Sequence, residues 1–195
     1  MRKNEIIYRE ILYQAIERKN RRLSQLYLSK ELNLSLSTVN LSLKALRKMN
    51  AVEVRQRSLI ITDAKKILYF WASVRDLQKD IVYSTRVDLP AYQIESQMPT
   101  GIVYASFSAY KLKFKDVPTD YSEIYVYGEK EGLEKRFPRS DRPANLFVLK
   151  KDSSTEKYGN TATIAQLFVD LWNQKEWYAK DFLNALEVRI GGLLE

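Results

Sequence analysis

The stretch SQLYLSKELNLSLSTVNLSLKALRKMNAVEVRQRSLIIT, Ser24 to Thr62, decides how the rest of the 195-residue chain is read. Leu36, Val39, Leu43 and Leu46 recur at three- and four-residue steps, which predicts a helix with one apolar stripe. At about 100° per residue the opposite face carries Ser37, Leu41, Lys44 and Lys48, with Thr38 and Ala45 beside them and Asn40 at its flank. Ser35 can cap the helix, because its hydroxyl accepts from a backbone N–H one turn in. A shorter helix precedes it from Ser24, with Leu26, Leu28 and Leu32 offered to the core; in the turn between them Asn33 can take the left-handed conformation. After Asn50 the period changes to two. Val52 and Val54 alternate with Glu53 and Arg55, and Leu59-Ile60-Ile61 follows, so two short strands meet at a basic tip, Arg55-Gln56-Arg57.

Charge is concentrated around that stretch. The chain carries a formal +8; residues 1–80 hold 17 Lys/Arg against 8 Asp/Glu, a net +9, and residues 81–195 hold 15 against 16, a net −1. A one-sided basic excess is the electrostatic footprint of a polyanion-binding module. A helix with short hydroxyl and amide groups at its start and lysines further along suits the major groove, where small groups approach bases and phosphates and Lys reaches the backbone.

Residues 4–62 resemble a winged helix-turn-helix DNA-binding domain, and the phrase Ser-Leu-Ser-Thr-Val-Asn followed by Leu-Lys-Ala-Leu resembles the recognition helix of bacterial and archaeal regulators. The resemblance implies double-stranded DNA as partner, with helix 35–49 in the major groove and the wing, 52–62, on an adjacent backbone or minor groove. The residues it puts at DNA are Ser35, Ser37, Thr38, Asn40, Leu41, Lys44 and Lys48 on the helix and Arg55, Gln56 and Arg57 on the wing. Leu41 departs from the pattern, standing where such helices often carry a polar or basic side chain; a thymine methyl contact and local packing are its two readings. Arg21 and Arg22 close a basic turn that reads either as a solvated loop or as a phosphate clamp.

The composition excludes much chemistry. With neither Cys nor His there is no disulfide, thiolate site, imidazole base or Ser-His-Asp triad. No Gly-rich phosphate loop ends in Lys-Ser or Lys-Thr, no apolar run approaches the ~18 residues of a membrane helix, and the N-terminus has no signal-peptide pattern. A cytoplasmic protein without metal or cofactor is expected.

Around the quoted stretch, Ile7/Tyr8, Ile11/Leu12 and Ala15/Ile16 predict a helix over 4–18. Beyond it, Asp63 can cap a long helix over 63–86, whose stripe Ile67, Phe70, Trp71, Val74, Leu77 and Ile81 predicts a homodimer contact or packing on the chain's own C-terminal domain. Residues 87–100, with Pro90 and Pro99, read as an extended linker. Residues 101–195 then read as a small α+β domain that senses a signal or binds a partner. Its expected elements are a helix at 105–114, strands at 121–127 and 146–149, a third strand at 133–137, a Thr163/Gln166 capping box opening a helix, and a last helix after Trp177. The whole is α+β: an N-terminal winged helix-turn-helix domain over 1–62, a connecting helix and the C-terminal domain.

The runs GIVYASFSAYKLKF, SEIYVYG and TIAQLFVDLWNQKEWYAKDFLNALE are similar to the C-terminal domain of AbiEi-type antitoxins, winged-helix proteins of abortive-infection systems. That resemblance implies a transcriptional autoregulator whose second domain meets a partner protein. Two further patterns bear on catalysis. Ser108 and Lys111 match S-x-x-K, without the companion elements that such enzymes use. The run from Ala105-Ser106 to Glu123 and Tyr125 loosely resembles the core of nucleotidyltransferases, but a Tyr in place of the second carboxylate cannot complete a two-carboxylate Mg²⁺ clamp. A non-enzymatic DNA-binding regulator is the expectation, with a partner-binding antitoxin or a degenerate nucleotidyltransferase-like domain as the alternatives.

Overall fold

A computed structural model describes residues 1–194. The chain divides into two compact units. One comprises Met1–Arg75, Thr163–Val169 and the segment from Glu187 onward; the other comprises Asp76–Ala162 and Asp170–Leu186.

The first unit runs α1 (Lys3–Ile16), β1 (Arg22–Leu23), α2 (Gln25–Glu31), α3 (Leu36–Lys48), β2 (Val52–Val54), β3 (Leu59–Ile61) and α4 (Ala64–Val74). Ser24, Ser35 and Asp63 cap α2, α3 and α4, accepting from Tyr27, Thr38 and Lys66 N–H at 3.0, 3.2 and 2.9 Å. Asn33 and Asn50 take left-handed φ of 51° and 56°, the first in the turn between α2 and α3 and the second at the exit of α3. The sheet is antiparallel in the order β1-β3-β2, with Val52 opposite Ile61 and Val54 opposite Leu59. β1 is a strand that the basic-turn reading missed; two residues carry no period to detect. Ile7, Ile11, Leu12, Leu28, Val39, Leu43, Leu46, Leu59, Ile67, Leu68 and Trp71 are all fully buried and form the core.

Helix α4 corrects the expected 63–86 helix. It ends at Val74, and Arg75 turns extended at ψ 136°. A 3₁₀ turn (Gln78–Asp80) follows, and then Ile81–Thr85 is a strand. Leu77 and Ile81 fell at helical spacing by coincidence, whereas IVYST alternates, with Tyr83 and Thr85 buried and Val82 and Ser84 exposed. Ile67 and Trp71 are buried inside the first unit, Leu77 is buried beyond the helix end, and Phe70, Val74 and Ile81 are half-buried. The continuous dimerisation stripe therefore does not exist.

Two distant segments complete this unit. They come from α8 (Ile164–Trp172) and α9 (Ala179–Leu194). The Glu17 carboxylate accepts from Ile164 N–H at 2.8 Å, Arg9 donates to Gln166 at 3.3 Å, and the Tyr69 ring meets Phe168 edge-on at 5.4 Å. Tyr69 also donates to Glu187 at 2.7 Å, and that bond pushes its phenol up to about 12.

The second unit is built on a four-stranded mixed sheet. Its strands and helices are β4 (Ile81–Thr85), α5 (Ala91–Ser96), β5 (Val103–Ala105), α6 (Ser106–Phe114), β6 (Ile124–Gly128), α7 (Lys130–Arg136) and β7 (Leu146–Lys150), in sheet order β4-β7-β6-β5. β6 and β7 are parallel, and both outer pairs are antiparallel. Every residue of β6 is buried, as a central strand with both faces covered requires. Ile124 and Val126 join Ile94, Leu133, Phe137, Leu146 and Val148 on one side. Tyr125 stacks on Phe147 at 4.6 Å, and Phe107 packs on Tyr125, Tyr178 and Phe182.

Three expectations change here. The linker at 87–100 lies within this unit and contains α5, which starts after Pro90 and buries Ile94. The strand expected at 133–137 is the end of helix α7, because only Leu133 and Phe137 of that run turn inward, at the i, i+4 spacing of a helix face. The C-terminal domain expected over 101–195 gives up Thr163–Val169 and the segment from Glu187 onward to the first unit.

Candidate nucleic-acid interface

Helix α3 turns Val39, Ser42, Leu43 and Leu46 inward. Leu36, expected in that stripe, is instead half exposed at the first helical position, a turn early for the core. Ser42 takes the inward place that its spacing from Val39 and Leu46 allowed. Its hydroxyl donates to the Thr38 carbonyl at 2.9 Å, and its own carbonyl accepts from Tyr8 of α1 at 3.2 Å. That fixes the roll of α3 about its axis and sends Ser35, Ser37, Asn40, Leu41, Lys44, Arg47 and Lys48 to the exposed side, with Thr38 half-buried.

Helix α2 is held beneath by a polar lock. Tyr27 donates to Glu10 of α1 at 2.8 Å, and Gln14 donates to both, at 2.9 Å to Glu10 and 2.8 Å to Tyr27. Burial, and then this bond to Glu10, push the Tyr27 phenol far up, so it stays a donor at any physiological pH.

The hairpin β2–β3 turns through Arg55–Ser58, closed by Arg55 N–H donating to the Ser58 carbonyl at 2.8 Å. The Arg55 guanidinium pairs bidentately with Glu53, Nε to Oε1 at 2.8 Å and Nη2 to Oε2 at 3.1 Å. This bond holds the Glu53 carboxyl below the usual carboxylate range and raises Arg55. Arg57 carries the tip's unneutralised charge.

These pieces border one open groove of about 520 Å³, lined by Ser24, Gln25 and Leu26 of α2, Leu36, Ser37 and Asn40 of α3, and Arg55, Gln56, Arg57 and Ser58 of the tip. The structure thus brings Ser37, Asn40, Arg55, Gln56 and Arg57 together. Ser35, Thr38, Leu41, Lys44 and Lys48 continue along α3. Arg22 sits exposed on β1, opposite Ile60, while Arg21 lies in a different groove with Lys19 and Gly192. The sequence reading missed Gln25, Leu26, Leu36 and Arg47. Arg47 donates to Asn40 Oδ1 at 3.2 Å and orients it, a pairing that its seven-residue spacing (two helical turns) could have disclosed.

In the second unit the catalytic patterns are occupied by other partners. Lys111 pairs with Glu95 at 2.6 Å, and Ser108 is fully buried. Ser106 opens α6 at φ 48°, its hydroxyl accepting from Gln174 at 3.0 Å. Tyr125 donates to Glu176 at 3.3 Å, its phenol raised by burial first and Glu176 next. Among the described residues no group of three or more acidic side chains is placed to hold a metal, and no helix is long and apolar enough to cross a membrane.

Residues 9–53 match the family described as winged helix-turn-helix DNA-binding. No curated protein and no solved structure matches the chain. Residues 9–53 thus form a winged helix-turn-helix domain, followed by a mixed α/β region with a four-stranded sheet, in agreement with the α+β class expected from sequence. Nothing in these matches concerns the antitoxin-like resemblance of the C-terminal half.

Proposed function

We propose that the chain is a sequence-specific regulator that binds double-stranded DNA, with α3 in the major groove and the β2–β3 hairpin on the adjacent backbone. The observation that carries this reading is the groove in which the first turns of α3 face the Arg55–Ser58 tip, on the half of the chain that holds a net +9. Hydroxyl and amide groups at the start of α3 meet base edges; Lys44, Lys48 and Arg57 meet phosphates. The test is to sequence duplexes that the full-length protein retains from a randomised pool. An enriched motif supports the reading, and retention without enrichment overturns sequence specificity.

The wing is assigned to positioning rather than reading. Arg57→Ala should weaken all duplexes alike and lower the slope of log affinity against log salt by about one. Titration of this variant against operator variants checks it; a shifted base preference would make the wing the reader.

The second unit is read as a non-catalytic sensor or partner domain. Lys111 committed to Glu95, and a phenol rather than a carboxylate at Tyr125, support that assignment. Trp177, 79% exposed, and the half-exposed Trp172 favour a protein partner, since exposed tryptophans are typical anchors of protein contacts.

A further inference from the structure

Three leucines stand out on the basic first unit. Leu26 of α2, Leu36 at the first position of α3 and Leu41 further along α3 are 52%, 50% and 64% exposed. Scattered exposed leucines are ordinary. These are not scattered: among the described residues of the first unit, Val188 is the only other large apolar side chain so exposed. Leu26 and Leu36 line the groove with Ser37 and Asn40. Leu41 lies about 40° from Ser37 and about 20° from Lys48 around the helix axis, at one edge of the exposed arc of α3, whose other edge, about 140° away, is Leu36.

A leucine offers a base no hydrogen bond. The one apolar group that a base pair displays in the major groove is the C5-methyl of thymine. Lys44 and Lys48 share the exposed side of α3 with Leu41, Arg57 lines the groove with Leu26 and Leu36, and these cations match a phosphate backbone in charge, which selects duplex DNA over an apolar protein face as the occupant. We infer that Leu41 and Leu36 read thymine methyl groups, so that the preferred duplex places thymines against the N-terminal half of α3. The inference rests on the assignment of α3 to the major groove and adds the base class that it selects.

Deoxyuridine differs from thymidine only by that methyl group, which makes it the probe. The duplex most enriched from the randomised pool is resynthesised with each thymine replaced in turn by deoxyuridine and titrated against the full-length protein. At one or more positions the affinity should fall about fourfold, the value of one buried methyl group. The loss should disappear in Leu41→Ala or Leu36→Ala, whichever reads that position, and persist in Arg57→Ala. Both leucines are exposed, so these variants keep the fold, which circular dichroism checks. Tight binding with equal affinity for thymine and uracil at every position overturns the inference and leaves the DNA-binding reading standing. Absence of binding to any duplex, with self-association that Leu41→Ala abolishes, overturns both and makes the leucines a contact between copies.

Discussion

Affinity for duplex DNA should fall about 500-fold between ~50 mM and ~200 mM monovalent salt, a log–log slope of −4 to −5 that corresponds to ~5 phosphates neutralised. The exposed side of α3, the hairpin tip and β1 together supply that number of cations. Lys44 and Lys48 lie on the outward face of α3, Arg57 at the tip, Arg22 on β1, and Arg47 beside Asn40. Arg55 is discounted because its charge is already matched by Glu53. Counterion release depends on how many phosphates are covered, not on which bases are read, so random and selected duplexes should show the same slope within about one. Fluorescence anisotropy on the full-length chain measures it. A slope shallower than about −2 would leave most of these cations without phosphate partners, and the groove would then be a site for something other than a duplex.

The parts of this interface that were legible in the sequence are those set by local chemistry. Ser35 and Asp63 cap because short side chains with an oxygen acceptor satisfy backbone donors one turn ahead, and nothing distant can change that. Asn33 was readable for the same reason. The exposure of Leu36 was not readable from leucine spacing, because the roll of α3 is fixed by Ser42 and by Tyr8 from another helix. The long helix through Leu77 and Ile81 failed for a similar cause. Its apolar spacing was continuous, but Arg75 leaves the helical path with its guanidinium buried against Glu5, seventy residues away in sequence. The unit division was out of reach altogether. Gln166, Phe168 and Glu187 join the first unit through partners in α1 and α4 that no local pattern announces. Around the groove, the exposure of Ser37, Asn40 and Arg55–Arg57 is legible because helix face and hairpin tip are periodic properties. That of Leu26 is not, because its spacing with Leu28 and Leu32 points to the core while it stands 52% exposed.

Glu5→Ala should destabilise the first unit by about 3–5 kcal/mol, the cost of breaking a buried ion pair from one side. Glu5 is 2% exposed at the start of α1, and its Oε2 accepts from Arg75 Nη1 at 3.0 Å and from Trp71 Nε1 at 3.4 Å. Its Oε1 accepts from Arg2 Nε at 2.6 Å, while Arg2 also donates to the Val74 carbonyl at the end of α4. One carboxylate thus ties the start of α1 to the end of α4. Removing it takes that counter-charge from Arg75, whose side chain is 1% exposed, and the desolvation already imposed on the guanidinium is no longer offset by this pairing. Arg75→Ala should cost a similar amount. Replacing both by Met should cost much less than the sum, because apolar side chains of similar length fill the space without a charge to desolvate. Urea unfolding of the full chain followed by tryptophan fluorescence, in which Trp71 reports on the bond it makes to Glu5, gives the three values and their coupling. Additive costs would mean that the two side chains do not interact. The consequence reaches the groove, because α1 carries the Tyr8 that holds the Ser42 carbonyl and the Glu10 that holds Tyr27. A chain whose α1 is loosened should therefore lose affinity for duplex DNA below the unfolding midpoint, at residues that touch no nucleotide.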